Sequence, residues 1–118
     1  MDNIHSLEEF TRLLFLHLAS VDGSLHPNER ETIIEKMNDL FPGNQHEEKL
    51  ITLEAEYKKL GFAVAEEVLT DNWSSFSSID QEMKKKLYAN LFDIINSDAR
   101  VNEEETRVLR ILKTWLTS

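Results

Sequence analysis

A chain of 118 residues, 41% hydrophobic and 30% charged, has the length of one domain and the composition of an ordered globular protein rather than a disordered one. It contains no cysteine, which excludes disulfides, thiolate metal sites and thiol chemistry. Thirteen Lys and Arg against 22 Asp and Glu give a formal net charge of -9, which repels phosphate backbones and anionic lipid and makes nucleic acid an unexpected partner.

The opening MDNIHSLEEF lacks the basic and apolar regions of a secretion signal, and the apolar run LLFLHLA is too short to cross a bilayer. A cytoplasmic protein without membrane insertion is expected. The three glycines and two prolines fall where helices start or stop, and no stretch alternates with a period of two. The chain is therefore expected to be all-α, one domain over residues 1–118.

Ser6 with Glu9 is a capping box that opens a first helix carrying Leu7, Phe10, Leu14, Leu18 and Val21. A second helix starts at Pro27, whose missing N–H has no partner in a first turn anyway, buries Ile33, Met37 and Leu40, and stops at Pro42-Gly43. Asn44 with Glu47 is a second capping box. It opens a long element with apolar residues at Leu50, Leu53, Tyr57, Leu60, Val64 and Val68, which Gly61 either breaks or weakens. TDNWSSFSSID, residues 70–80, is expected as a polar connector whose Trp73 and Phe76 fold back onto the core. Ile79, Met83, Leu87, Leu91 and Ile94 mark a fourth helix, and Val108, Leu109, Leu112, Trp115 and Leu116 a fifth. MKKKL, residues 83–87, spreads its lysines around a solvated helix.

Adding 76 to the motif VDGSLHPNE superposes Asp22 on Asp98, Leu25 on Val101 and Glu29 on Glu105. Upstream, Phe15 and Leu16 fall on Leu91 and Phe92, and Leu18 and Ala19 on Ile94 and Ile95. A unit of helix, acidic turn and capped helix thus occurs twice. The architecture this implies is a compact bundle of two pseudo-symmetric helical hairpins joined by a long central helix.

Asp22-Gly23 followed by Glu29 reproduces the second half of a calcium-binding loop, but the first ligand position would be Leu18, or Ile94 in the repeat. Two further accounts fit the same residues. The glutamates cap helices, Glu105 with Asn102 and Glu29 with His26, and the aspartates form Asx-turns that offset their position at the negative end of a helix dipole. A third is a contact with a protein. Any divalent cation should then bind no tighter than about 10⁻⁴ to 10⁻³ M, centred on Asp22, because the second turn has Ala99 for Gly and adds Arg100. A cation at ten times its Kd raises stability by about 1.4 kcal/mol. Melting in millimolar calcium or magnesium against equal ionic strength of sodium tests this, and coincident melts favour the Asx-turn.

His17 falls over Asp93 in the repeat, so the two either pair near the repeat axis or His17 is a half-exposed ring bonded to water or a carbonyl. The remaining histidines have no triad spacing with a serine, and HExxH, GxSxG and phosphate-cradling glycine loops are missing. A non-enzymatic protein is expected. The exposed acids at the turns and the helix starts after them, Glu29, Glu31, Asp98, Glu103 and Glu104, form a candidate face for a protein with a basic surface. Partner contact is placed on Glu31, Glu103 and Glu104.

FLHLASVDGSLHPNERETI and LFDIINSDARVNEEETRVL resemble the paired motifs of the TerB-like domain family, named for a tellurite-resistance protein. The resemblance covers most of the chain. It implies a compact all-helical domain with pseudo-symmetric halves, acting in stress response as a binding or scaffolding module. It also implies divalent-metal binding at the matching positions Asp22, Glu29, Asp98 and Glu105.

Overall fold

Ser6 opens the bundle as the capping pattern predicts: its Oγ accepts the Glu9 backbone N–H at 3.2 Å, satisfying one of the donors a helix start leaves over. The computed structural model describes residues 6–21, 25, 27–43, 45–96 and 103–117, with backbone alone at 95, 96, 104, 105 and 117. These form six helices: α1 (Leu7–Ala19), α2 (Pro27–Leu40), α3 (His46–Leu60), α4 (Phe62–Phe76), α5 (Gln81–Asn96) and α6 (Glu103–Thr117). Among the described residues there is no strand, and no helix is long and apolar enough to cross a membrane. A radius of gyration of 13.0 Å is that of a compact chain of this length.

The central helix is α1. From Phe10 to Ala19 every residue is buried, and α1 packs against all five other helices. A helix apolar around its whole circumference, as LLFLHLA is, belongs inside a bundle rather than on its surface. The element expected to be central, running from Asn44 to Val68, is instead two helices. Gly61 stands between them at φ 85°, ψ 165°, a conformation that only glycine adopts without strain. Its N–H still bonds to the Tyr57 carbonyl at 2.9 Å, and its own carbonyl accepts from Ala65 at 3.1 Å, so it closes α3 and opens α4. The break rotates the apolar phase: Ala65 and Leu69 are buried, while Val64, on the stripe of a continuous helix, is 41% exposed.

Replacing Gly61 by Ala is expected to cost about 1–3 kcal/mol. A Cβ there meets nothing within 4 Å, so the penalty is backbone strain alone. Urea unfolding should show a lower midpoint at an unchanged slope, and a midpoint equal to that of the parent would refute the strain.

The residue before α3 is Gln45, left-handed at φ 72° and without a side-chain cap; Asn44, the expected cap, lies outside the described residues. One further boundary differs from expectation. Residues 70–76 are the last turns of α4, not a connector. Ser, Asn and Asp are weak helix formers, but tertiary packing outweighs propensity here: Trp73 stacks on Trp115 at 5.4 Å and 11°, and Phe76 lies 4.9 Å from Phe10. The fold-back of both aromatics onto the core is as expected.

Asp80 Oδ1 accepts the Met83 N–H at 2.7 Å and starts α5, which buries Leu87, Leu91 and Ile94. Within MKKKL, Lys85 and Lys86 are exposed, but Lys84 is buried, its Nζ 5.9 Å from the centre of the Trp73 ring. Its stem covers apolar surface and its charge meets an aromatic face. The sequence repeat survives as element boundaries: 76 added to the bounds of α1 and α2 falls inside α5 and α6. Phe15 and Leu91 are buried alike, as are Leu18 and Ile94, whereas Leu16 is buried and its counterpart Phe92 is 49% exposed. Enclosed on all sides, α1 has no exposed face to match that of α5.

Candidate functional site

His17 sits inside the helix that the bundle surrounds and is wholly buried, so both ring nitrogens need partners from other helices. Nδ1 lies 2.9 Å from the Tyr57 hydroxyl on α3. Nε2 is directed at Glu66 Oε2 on α4, 3.5 Å away, and makes no closer hydrogen bond among the described residues. Phe62, the first residue of α4, stacks on the imidazole at 4.3 Å and 21°. From α6, Arg107 Nη2 reaches the same Glu66 Oε2 at 3.4 Å, and its guanidinium carbon lies 5.9 Å from the Phe62 ring centre. Four helices thus converge on one polar cluster. The tautomer that suits it has Tyr57 donating to Nδ1 and the proton on Nε2, facing the carboxylate.

Burial pushes the His17 pKa down to about 4, against the pull of the Glu66 carboxylate and with a further push from Arg107. Burial, helped by the Glu66 charge, raises that of Tyr57. The order carboxylate, imidazole, hydroxyl resembles a nucleophile relay, yet a general base works best near neutrality and a nucleophile is activated by a lowered pKa. Both groups are displaced the other way. The contacts of the cluster tie α1 to α3 and α4, and α4 to α6.

Neither expectation for His17 holds. It is not half-exposed, and it does not meet Asp93, whose Oδ2 lies 3.1 Å from Lys36 Nζ. Because α1 is enclosed and α5 is not, equivalent positions of the repeat face different surroundings.

A second cluster anchors the other end of α1. His46 Nε2 donates to the Phe41 carbonyl at 2.7 Å, which leaves Nδ1 to accept from Arg12 Nη2 at 3.3 Å. Glu8 stands 3.7 Å from Arg12 and 3.8 Å from Lys49. Burial lowers the Arg12 pKa against the pull of Glu8 and Glu9. Between α2 and α3, Arg30 grips Glu54 with two bonds of 2.8 Å, the planar fork that a carboxylate matches; this bond raises the Arg30 pKa.

Of the expected metal ligands, Asp22 and Asp98 lie outside the described residues, as does the side chain of Glu105. Glu29 is placed, and it is 2% exposed instead of standing on the acidic face. It lies four and eight residues before Ile33 and Met37, both buried, so it occupies the inward stripe of α2. An acid in a first turn is favoured by the dipole wherever it points. Among the described residues no three His, Asp or Glu side chains come together to hold a metal. Glu31 and Glu103 are exposed in α2 and α6; Glu104 is in the first turn of α6, its side chain not described.

Tyr57, Glu66 and Arg107 escape a reading of the sequence as partners of His17. Tyr57 carries the one available signal, a hydroxyl on an otherwise apolar stripe. Comparison with family models, with curated protein sequences and with solved structures returns no match.

Proposed function

We propose that the chain is a non-enzymatic binding or scaffolding module of the TerB-like, stress-response kind, which uses an acidic surface to hold a partner protein with a basic segment. One observation carries this reading: the division of polar groups between inside and outside. The buried polar side chains His17, His46 and Arg12 bond between helices, whereas Glu31 and Glu103 stand exposed on a chain with net charge -9. Acids at helix starts are stable in isolation, so this surface can remain unpaired until a partner arrives. Its charges act chiefly on association rate, and binding weakens as salt shortens the Debye length from about 10 Å at 0.1 M to about 3 Å at 1 M.

Crosslinking in the native host followed by mass spectrometry identifies the partner, and surface plasmon resonance across a salt series tests the face. Glu31→Lys, Glu103→Lys and Glu104→Lys together should slow association at low salt and flatten the salt slope. A triple variant that associates as fast as the parent, with the same slope, would exclude these three residues.

A further inference from the structure

Between α4 and α6 lies an open cleft of ≈ 480 Å³ whose lining includes Phe62, Glu66, Glu67, Asp71 and Arg107. We infer that this cleft is where the basic segment docks, with one of its arginine or lysine side chains against Glu66 and another against Glu67 and Asp71. The inference rests on the acidic-surface function proposed above and extends its surface from the start of α6 onto α4.

The charge pattern of α4 is one-sided. FAVAEEVLTDNWSSF contains three acids and no Lys or Arg, and Glu67 and Asp71, four residues apart, are like charges stacked on one face. Both are exposed, and neither has an ion pair or hydrogen bond among the described residues. Glu66 is the partial exception, and an incomplete one. Its neighbours His17 Nε2 and Arg107 Nη2 both approach Oε2, at 3.5 and 3.4 Å, and neither contact engages Oε1.

The second, independent observation lies behind the carboxylates. His17, beneath the cleft, is fully buried, and its Nε2 faces Glu66 Oε2 in this wall at 3.5 Å with no closer hydrogen bond among the described residues. A buried donor left short of its acceptor is rare in a finished structure, and long contacts of this kind tighten when a ligand completes a site. A cation on Glu66 Oε1 would complete this one: it neutralises the carboxylate while Oε2 settles onto the imidazole N–H. Phe62 supplies an aromatic face beside that position, already used by Arg107 at 5.9 Å, and such a face attracts guanidinium and ammonium groups alike. An anionic ligand would meet three carboxylates and is excluded by the same charges.

The test uses the whole chain, ¹⁵N-labelled, titrated at low salt with a short peptide of alternating arginine and alanine. Amide shifts should concentrate on the first three turns of α4 and around Arg107, and the His17 Nε2 proton should move downfield as its bond to Glu66 forms. Glu67→Gln with Asp71→Asn, exposed isosteric changes that leave His17 untouched, should weaken binding about fivefold, the loss of two partly exposed charge contacts. A control pair of equal charge change and equal spacing on α2, Glu35→Gln with Asp39→Asn, both exposed and outside the face proposed above, should stay within about twofold. Equal weakening by both pairs would reduce the binding to net charge and overturn the cleft. Weakening by the α2 pair alone would also overturn it, while keeping an acidic docking surface elsewhere. No binding of the peptide would overturn the cleft and the acidic-surface function together.

Discussion

Between pH 6.5 and 4 the fold is expected to lose about 3 kcal/mol of stability through His17 alone. In the unfolded chain this imidazole takes up its proton near 6.5, and in the bundle only near 4. Over that window the unfolded state binds more protons, so stability falls as the pH falls; the contribution is whole above 6.5 and gone below 4. The cause is burial. The ring lies under Phe62, and the charged groups that face it, Glu66 from α4 and Arg107 from α6, oppose one another, with neutral Tyr57 closing the third side. Urea unfolding of the parent and of His17→Gln at intervals across this range isolates the effect from the carboxylates, which titrate in both. The variant should be the less stable at pH 7, and the gap should close toward pH 4. Parallel curves would mean that His17 keeps its ordinary pKa and that its enclosure is looser than the geometry implies.

The same residue marks the limit of what can be read from the chain. Ser6, Pro27 and Pro42-Gly43 punctuate helices through local backbone chemistry, and a local signal is legible locally. Stripes such as Ile33–Met37 and Leu87–Leu91–Ile94 follow from helical spacing, and all five of these residues are buried. The inward side of Glu29 was legible by the same spacing, four residues before Ile33, but a preference for acids at helix starts pointed equally outward. Gly61 is different, because a glycine that merely weakens a helix and one that breaks it look alike until its φ and ψ are known. In residues 70–80 the Ser, Asn and Asp favour turns and point to a connector, while the packing of Trp73 against Phe10 and Trp115 that makes 70–76 helical involves distant parts of the chain. His17 meets Tyr57 at a separation of 40 residues, and no spacing rule spans that distance. The polar cluster is therefore a product of how α1, α3, α4 and α6 close around one another.

The largest loss from a single substitution is expected at Phe10. Its ring is fully buried on the central helix, 4.9 Å from Phe76 and 6.0 Å from Trp73, so it joins α1 to the last turns of α4. Those turns are built from weak helix formers and depend on this contact more than on their own propensity. Phe10→Ala removes the transfer energy of the ring and leaves a cavity that helices packed on every side of α1 cannot fully close, at a cost of about 3–5 kcal/mol. At an unfolding entropy of about 2.1 cal/mol/K per residue, this lowers Tm by roughly 15 °C. The comparison variant is Phe92→Ala, the same truncation on α5 at a ring that is 49% exposed; it should cost less than about 1 kcal/mol. Calorimetry reads the two midpoints, and near-ultraviolet circular dichroism reads the stacked Trp73–Trp115 pair, which should lose its signal in the Phe10 variant before the helices melt. If the two truncations lower Tm equally, α1 is not the core of this bundle; if Phe10→Ala keeps the tryptophan signal up to global unfolding, α4 holds its last turns without it.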